Sequence, residues 1–109
     1  MKKGEIWIIE LPSKGAHEQK GIRPGFIIAM TGTNMVITIP LTSNLQALKF
    51  PNTIRIKNSN INNLERDSVA MIFQMLSLDK MRFIQKIGEL EIEYMDEIDR
   101  IIKGMFFGN

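Results

Sequence analysis

Glu5-Ile6-Trp7-Ile8-Ile9-Glu10 is the stretch on which the fold turns. Read as an extended strand, it puts Ile6 and Ile8 on one face and Trp7 and Ile9 on the other. A strand that is apolar on both faces has no side to offer water, so it belongs inside a curled sheet, a barrel. Pro12-Ser13 ends it. Outward along the chain, residues 25–30 and 35–41 read as two further strands joined by the short turn Thr31-Gly32-Thr33-Asn34. Residues 53–57 alternate, with Arg55 and Lys57 on a common solvent side, and the Asn-rich residues 58–63 read as a loop. The apolar run 68–76 predicts one long central strand. Asp79 is placed to cap a helical turn over 80–83, and residues 84–87 return as a strand ending at Gly88. Then the period changes. Tyr94, Met95, Ile98, Ile101, Ile102 and Met105 recur at helical spacing and predict an amphipathic helix over 91–105, laid on the barrel.

Composition bounds the rest. A chain of 109 residues, 44% hydrophobic and 24% charged, is expected to form one domain over 1–109, burying roughly two thirds of its unfolded surface. With no Cys it has neither a disulfide framework nor a thiolate metal site, which agrees with a reducing cytoplasm. Lys2-Lys3 precede an apolar run bracketed by Glu5 and Glu10, too short for a signal-peptide core, and no run reaches membrane-spanning length. A soluble protein with no membrane association is expected. The net charge of +2 is unevenly spread: residues 1–88 carry 12 Lys+Arg against 6 Asp+Glu, hence +6, and residues 89–109 carry 2 against 6, hence −4. A basic body with an acidic tail suits a polyanion approaching the body.

Chemistry concentrates in Gly15-Ala16-His17-Glu18-Gln19-Lys20-Gly21-Ile22-Arg23-Pro24. Two glycines and a proline shape the backbone of a connection that carries a carboxylate, two cations and the chain's single histidine. A hydrated connection between strands is the ordinary reading of such a composition. The sequence lacks metal-ligand spacing, a glycine-rich phosphate loop leading into a helix, and a nucleophilic Cys, so no metal or other cofactor is expected.

Three groups of residues, in order and in register, change the balance: Gly4-Glu5-Ile6-Trp7; His17-Glu18-Gln19 followed by Gly21-Ile22-Arg23-Pro24; and Pro40-Leu41-Thr42-Ser43. With Arg66-Asp67-Ser68-Val69, Gln74, Leu78-Asp79-Lys80, Arg82 and Lys86-Ile87-Gly88-Glu89-Leu90 further on, the chain resembles the MazF/PemK (Kid) family of toxin endoribonucleases over almost its whole length. The resemblance implies a mainly β fold with α: a small SH3-like barrel of the plasmid-maintenance-toxin type, with a short helix and a C-terminal amphipathic helix. It also implies a homodimer that cleaves single-stranded RNA and is held inactive by a cognate, MazE-like antitoxin.

On that resemblance each residue acquires a role. Cleavage through the 2′-hydroxyl needs positive charge at the developing phosphorane, a proton acceptor and a proton donor. Arg23, the family's catalytic arginine position, suits the charge because its planar fork grips two phosphate oxygens; otherwise it reads as a surface partner of Glu18. Thr42 falls at the family's active-site threonine, and Ser43 adds a donor beside it; the alternative for Thr42 is a hydroxyl that satisfies the turn backbone. His17 is the natural proton shuttle, while Glu18 either shares that work or holds Arg23 in place. Gln19, Lys20 and Gln74 complete the expected RNA contacts.

Departures from the family pattern count as well. Where the Kid-like branch uses an arginine and an aspartate in catalysis, this chain has Met71 and Phe73, and Leu76 stands where arginine is common. The expected enzyme relies on Arg23 and Thr42 with His17 or Glu18, and most of its aromatic residues are expected to be buried rather than stacked on bases. The alternative is a weak or inactive homologue acting by binding, such as a CcdB-like toxin that binds gyrase.

Overall fold

The computed structural model describes residues 1–12 and 21–108. Seven strands run as β1 (Glu5–Leu11), β2 (Gly21–Met30), β3 (Met35–Thr42), β4 (Thr53–Ile56), β5 (Ser68–Met71), β6 (Leu76–Asp79) and β7 (Phe83–Glu89), followed by the helix α1 (Ile92–Phe107). The sheet order is β4-β5-β3-β2-β1-β7, with β6 also on β3, and every described pairing is antiparallel. The fold is mainly β with a C-terminal helix, as expected, but the curled sheet stays open: β4 and β7 are its ends and do not pair.

Of the two-faced β1, Ile6 and Ile9 are fully buried, while Trp7 and Ile8 are half-buried. Ile6 joins one core with Phe26, Ile39, Leu41, Ile56, Ile72 and the α1 residues Met95 and Ile98. Ile9 joins another with Ile27, Val36, Leu78 and Phe83, against which Trp7 packs. Trp7 meets Phe83 edge-on at 6.1 Å and donates its indole N–H to Glu5 at 2.9 Å. Burial pushes the Glu5 carboxyl up, but hydrogen bonds from Trp7, the Lys2 backbone and Lys86, together with the Lys86 charge, outweigh it and hold it below its ordinary 4.5.

The run 68–76 is not one strand. β5 and β6 face the same β3, yet between the pairs Leu41–Ala70 and Thr38–Leu76 three steps on β3 oppose six on the partner. A 3₁₀ turn over Ile72–Gln74 takes up the surplus. It keeps Ile72 in the core and leaves Phe73 and Gln74 exposed. A further 3₁₀ helix, Leu45–Lys49, follows β3, capped by the Asn44 side chain accepting from Gln46 N–H at 3.0 Å. Asp79 caps the 3₁₀ turn Lys80–Arg82 as expected, accepting from Met81 N–H at 2.9 Å. Arg55 and Lys57 both reach solvent.

Four of the six phenylalanines, Phe50, Phe73, Phe106 and Phe107, are exposed, which corrects the expectation that the aromatics are mostly buried. Phe73 lies 5.6 Å from Phe50, so the position that is acidic elsewhere in the resembled family serves here in an aromatic pair. Met71 is buried beside Ala47 and Val69, and Leu76 packs on the Ile9 core. No helix among the described residues is long and apolar enough to cross a membrane.

Candidate functional site

The start of β2, the end of β3 and the loop before β5 meet around a cleft of about 630 Å³. Arg23 and Pro24 enter it from β2, Thr42 and Ser43 from β3, Glu65 and Arg66 from the loop, and Gln85 from β7; Ile8, Ile22, Leu41, Leu64 and Ile87 give it apolar surface. An apolar cleft with a few convergent polar groups is the usual form of a binding site.

Arg23 sits opposite Ile9 on β1 and is half-buried. Its guanidinium folds back over Gly21, two residues earlier on the same face of the strand. A Cβ at Gly21 would lie 2.9 Å from Arg23 Nε and 3.0 Å from one of its terminal nitrogens. Glycine at this point is what lets the guanidinium lie so close to its own strand. Among the described residues no carboxylate forms an ion pair with Arg23, whereas Arg55, Arg82, Lys3 and Lys86 are paired with Asp67, Glu10, Asp99 and Glu5 respectively.

Thr42 ends β3 opposite Val69, and its Oγ1 accepts from Asn44 N–H at 3.2 Å. The turn-satisfying reading of this threonine is therefore correct, and it is compatible with chemistry. The bond uses an acceptor lone pair, so the hydroxyl proton can still be donated into the cleft. Ser43 is exposed beside it.

The loop wall is built by side chains. Asn62, fully buried, donates to Lys57 O at 2.9 Å and Glu91 Oε1 at 3.0 Å, and accepts from the backbone N–H of Ser59 and Leu64. Ser59 Oγ donates to Glu91 Oε2 at 2.9 Å while accepting from the N–H groups of Ile61 and Asn62. Glu91, just before α1, thus anchors the loop instead of capping the helix with its side chain. Asp67 accepts from Asn58 N–H at 3.0 Å and Arg55 at 2.9 Å, and these two bonds, in that order, hold its carboxyl below the usual 3.8. The β7 backbone comes so near this loop that a Cβ at Gly88 would lie 2.5 Å from Asn62 O.

The structure brings together Arg23, Thr42 and Ser43. Gln74 is exposed on the 3₁₀ turn and is not part of the cleft lining. His17, Glu18, Gln19 and Lys20 lie outside the described residues. Glu65 and Arg66 escaped sequence reasoning. Arg66 was visible only as part of a motif, and nothing local tells that the residues ahead of Ser68 face Arg23 across a cleft. Among the described residues no group of three His, Asp or Glu side chains is arranged to hold a metal ion.

Comparison with known proteins agrees with this architecture. The chain is 30% identical over 107 residues to Endoribonuclease EndoA of Bacillus subtilis (strain 168), spanning 94% of this chain and 91% of that protein. It is 31% identical over 106 residues to Endoribonuclease MazF of Staphylococcus saprophyticus, spanning 94% and 88%. In fold it matches the crystal structure of MazF (Form-I) from Deinococcus radiodurans with a TM-score of 0.75 at 17% identity, over 97% of this chain and 94% of that one. Residues 2–106 match the model of the PemK-like, MazF-like toxins of type II toxin-antitoxin systems, and the chain belongs to that family.

Proposed function

We propose that this protein is an endoribonuclease that cuts single-stranded RNA without a metal ion, as the toxin of a type II toxin-antitoxin pair. The observation that carries the reading is that Arg23 and Thr42, on separate strands, open into one cleft. In the reaction the 2′-oxygen attacks the adjacent phosphorus and the bond to the 5′-oxygen breaks. The 2′-proton passes to a base, and the departing 5′-oxygen takes up a proton. Arg23 holds the nonbridging oxygens as charge builds on them, and Thr42 donates to one of them or orients the 2′-hydroxyl. His17 and Glu18 serve the proton transfers, Gln19, Lys20 and Ser43 contact the RNA, and Gln74 meets it outside the cleft. The relatives named endoribonucleases favour this reading over a gyrase-binding toxin.

The family context adds partners. We infer a cytoplasmic homodimer, for which the exposed Leu45, Leu48, Phe50 and Phe73 supply apolar surface, and an antitoxin whose acidic segment competes with RNA for the basic body.

The test is incubation of the purified protein with a long single-stranded RNA in excess EDTA, with new 5′ ends mapped. Discrete cuts are expected, and Arg23→Ala should slow them by about 10²- to 10³-fold. A loss smaller than about tenfold would remove Arg23 from the role of phosphorane stabiliser. Absence of cuts by the unaltered protein would overturn the ribonuclease reading.

A further inference from the structure

We propose that Arg66 is a second phosphate-gripping residue, holding a backbone phosphate of the RNA next to the one at Arg23. The proposal rests on the ribonuclease reading and extends it to how the strand is laid in the cleft. Arg23 and Arg66 reach the same cleft from different elements, β2 and the loop before β5. Two guanidiniums against one carboxylate, Glu65, leave the described lining with a net positive charge. That is the balance a polyanion needs.

The neighbouring residues explain why the charge of Arg66 is not neutralised locally. Asp67, its neighbour in sequence, gives its two carboxylate oxygens to Asn58 N–H and Arg55. Among the described residues Arg66 itself makes no ion pair. Its backbone is fixed, since Arg66 O accepts from the hydroxyl of the buried Ser68 at 3.0 Å. The wall on which it stands is tied by Asn62 and Ser59 to Glu91. An arginine on a fixed backbone loses less freedom when it grips an anion than one on a loose loop. Arg66 contacts no reacting atom in this scheme; it sets the register of the strand and the strength of binding.

The experiment measures binding of a short 2′-O-methyl RNA, which cannot be cleaved at any position, by fluorescence anisotropy across a salt series. Loss of one phosphate contact on a single strand reduces the steepness of the fall of log K with log salt by about 0.7. Arg66→Ala is expected to show that drop and a severalfold weaker Kd, and on cleavable RNA its effect should fall on KM more than on kcat. Lys80→Ala, which removes an exposed charge outside the cleft lining, controls for generic loss of charge and should change the slope less. Replacing single phosphates with methylphosphonates should reveal one position, not the scissile one, where Arg66→Ala has no further effect. A slope and Kd for Arg66→Ala equal to those of the unaltered protein, or to Lys80→Ala, would overturn the proposal. Cleavage of ordinary RNA by the unaltered protein decides the ribonuclease reading separately, because the binding series requires no turnover.

Discussion

Gly21→Ala tests whether the position of the Arg23 guanidinium matters to the reaction. The new methyl would stand 2.9 Å from Arg23 Nε, 3.0 Å from a terminal nitrogen and 3.3 Å from Cζ. Ordinary contact begins at about 3.5 Å, so the guanidinium has to retreat by about 0.5 Å. A misplacement of about 1 Å costs on the order of 10²-fold in rate, and half that displacement should cost about tenfold. The fold should survive, because the methyl meets the end of a flexible side chain and Gly21 has no positive φ. The assay is single-turnover cleavage at saturating RNA, run in parallel with thermal denaturation and repeated in the Arg23→Ala background. There the glycine change should have no effect on the residual rate, since the group it displaces is gone. A rate within about twofold of the unaltered protein, or an equal loss in the Arg23→Ala background, would refute the reasoning.

Thr42→Val keeps the shape but removes the hydroxyl, both the donor to the cleft and the acceptor for Asn44 N–H; it should lower kcat by about 10²-fold while Thr42→Ser, which restores both, recovers most of it, measured on the same RNA. Gly88→Ala drives a methyl against Asn62 O at 2.5 Å and Ile61 O at 2.7 Å, both backbone atoms. It should cost about 2 kcal/mol or more and lower Tm by on the order of 10 °C in calorimetry. Acid should destabilise the protein through Glu5 and Asp67. Both carboxyls lie below their ordinary values in the folded state, so the unfolded chain binds more protons, and their stabilisation, complete above those values, is lost as pH falls. Glu5→Gln should flatten the decline of Tm between about pH 5 and pH 3, and an unchanged decline would exclude Glu5 as a contributor.

What could be read in the sequence was what depends on short range. The double-faced β1 and the helical period from Tyr94 to Ile102 announce their packing because each pattern repeats within a few residues, whereas Met105, the last residue of that period, is exposed. The break at Ile72–Gln74 left no such trace, for it contains neither Gly nor Pro and continues an apolar run. It exists because β5 and β6 must both lie on β3 with three surplus residues between them, a demand set by the whole sheet. At the site, Arg23 and Thr42 were legible from a resemblance, and their shared cleft supports it. Glu65 and Arg66 were not, since their place is decided by Asn62, a residue that looks in sequence like ordinary loop polarity.

The bonds from Ser59 and Asn62 to Glu91 also determine how the cleft comes apart. The amides of Ser59, Ile61, Asn62 and Leu64 end on two side chains rather than on a neighbouring strand, and those side chains end on the residue where α1 begins. Detaching the start of the helix would strip both side chains of their Glu91 partner and is expected to loosen the wall, which then keeps its ties to β7 through Ile61 O and the Asn63 side chain. A ligand that presses on α1 should therefore be felt at the cleft wall without touching it, and hydrogen exchange at these four amides should rise and fall with that of the helix's first turn.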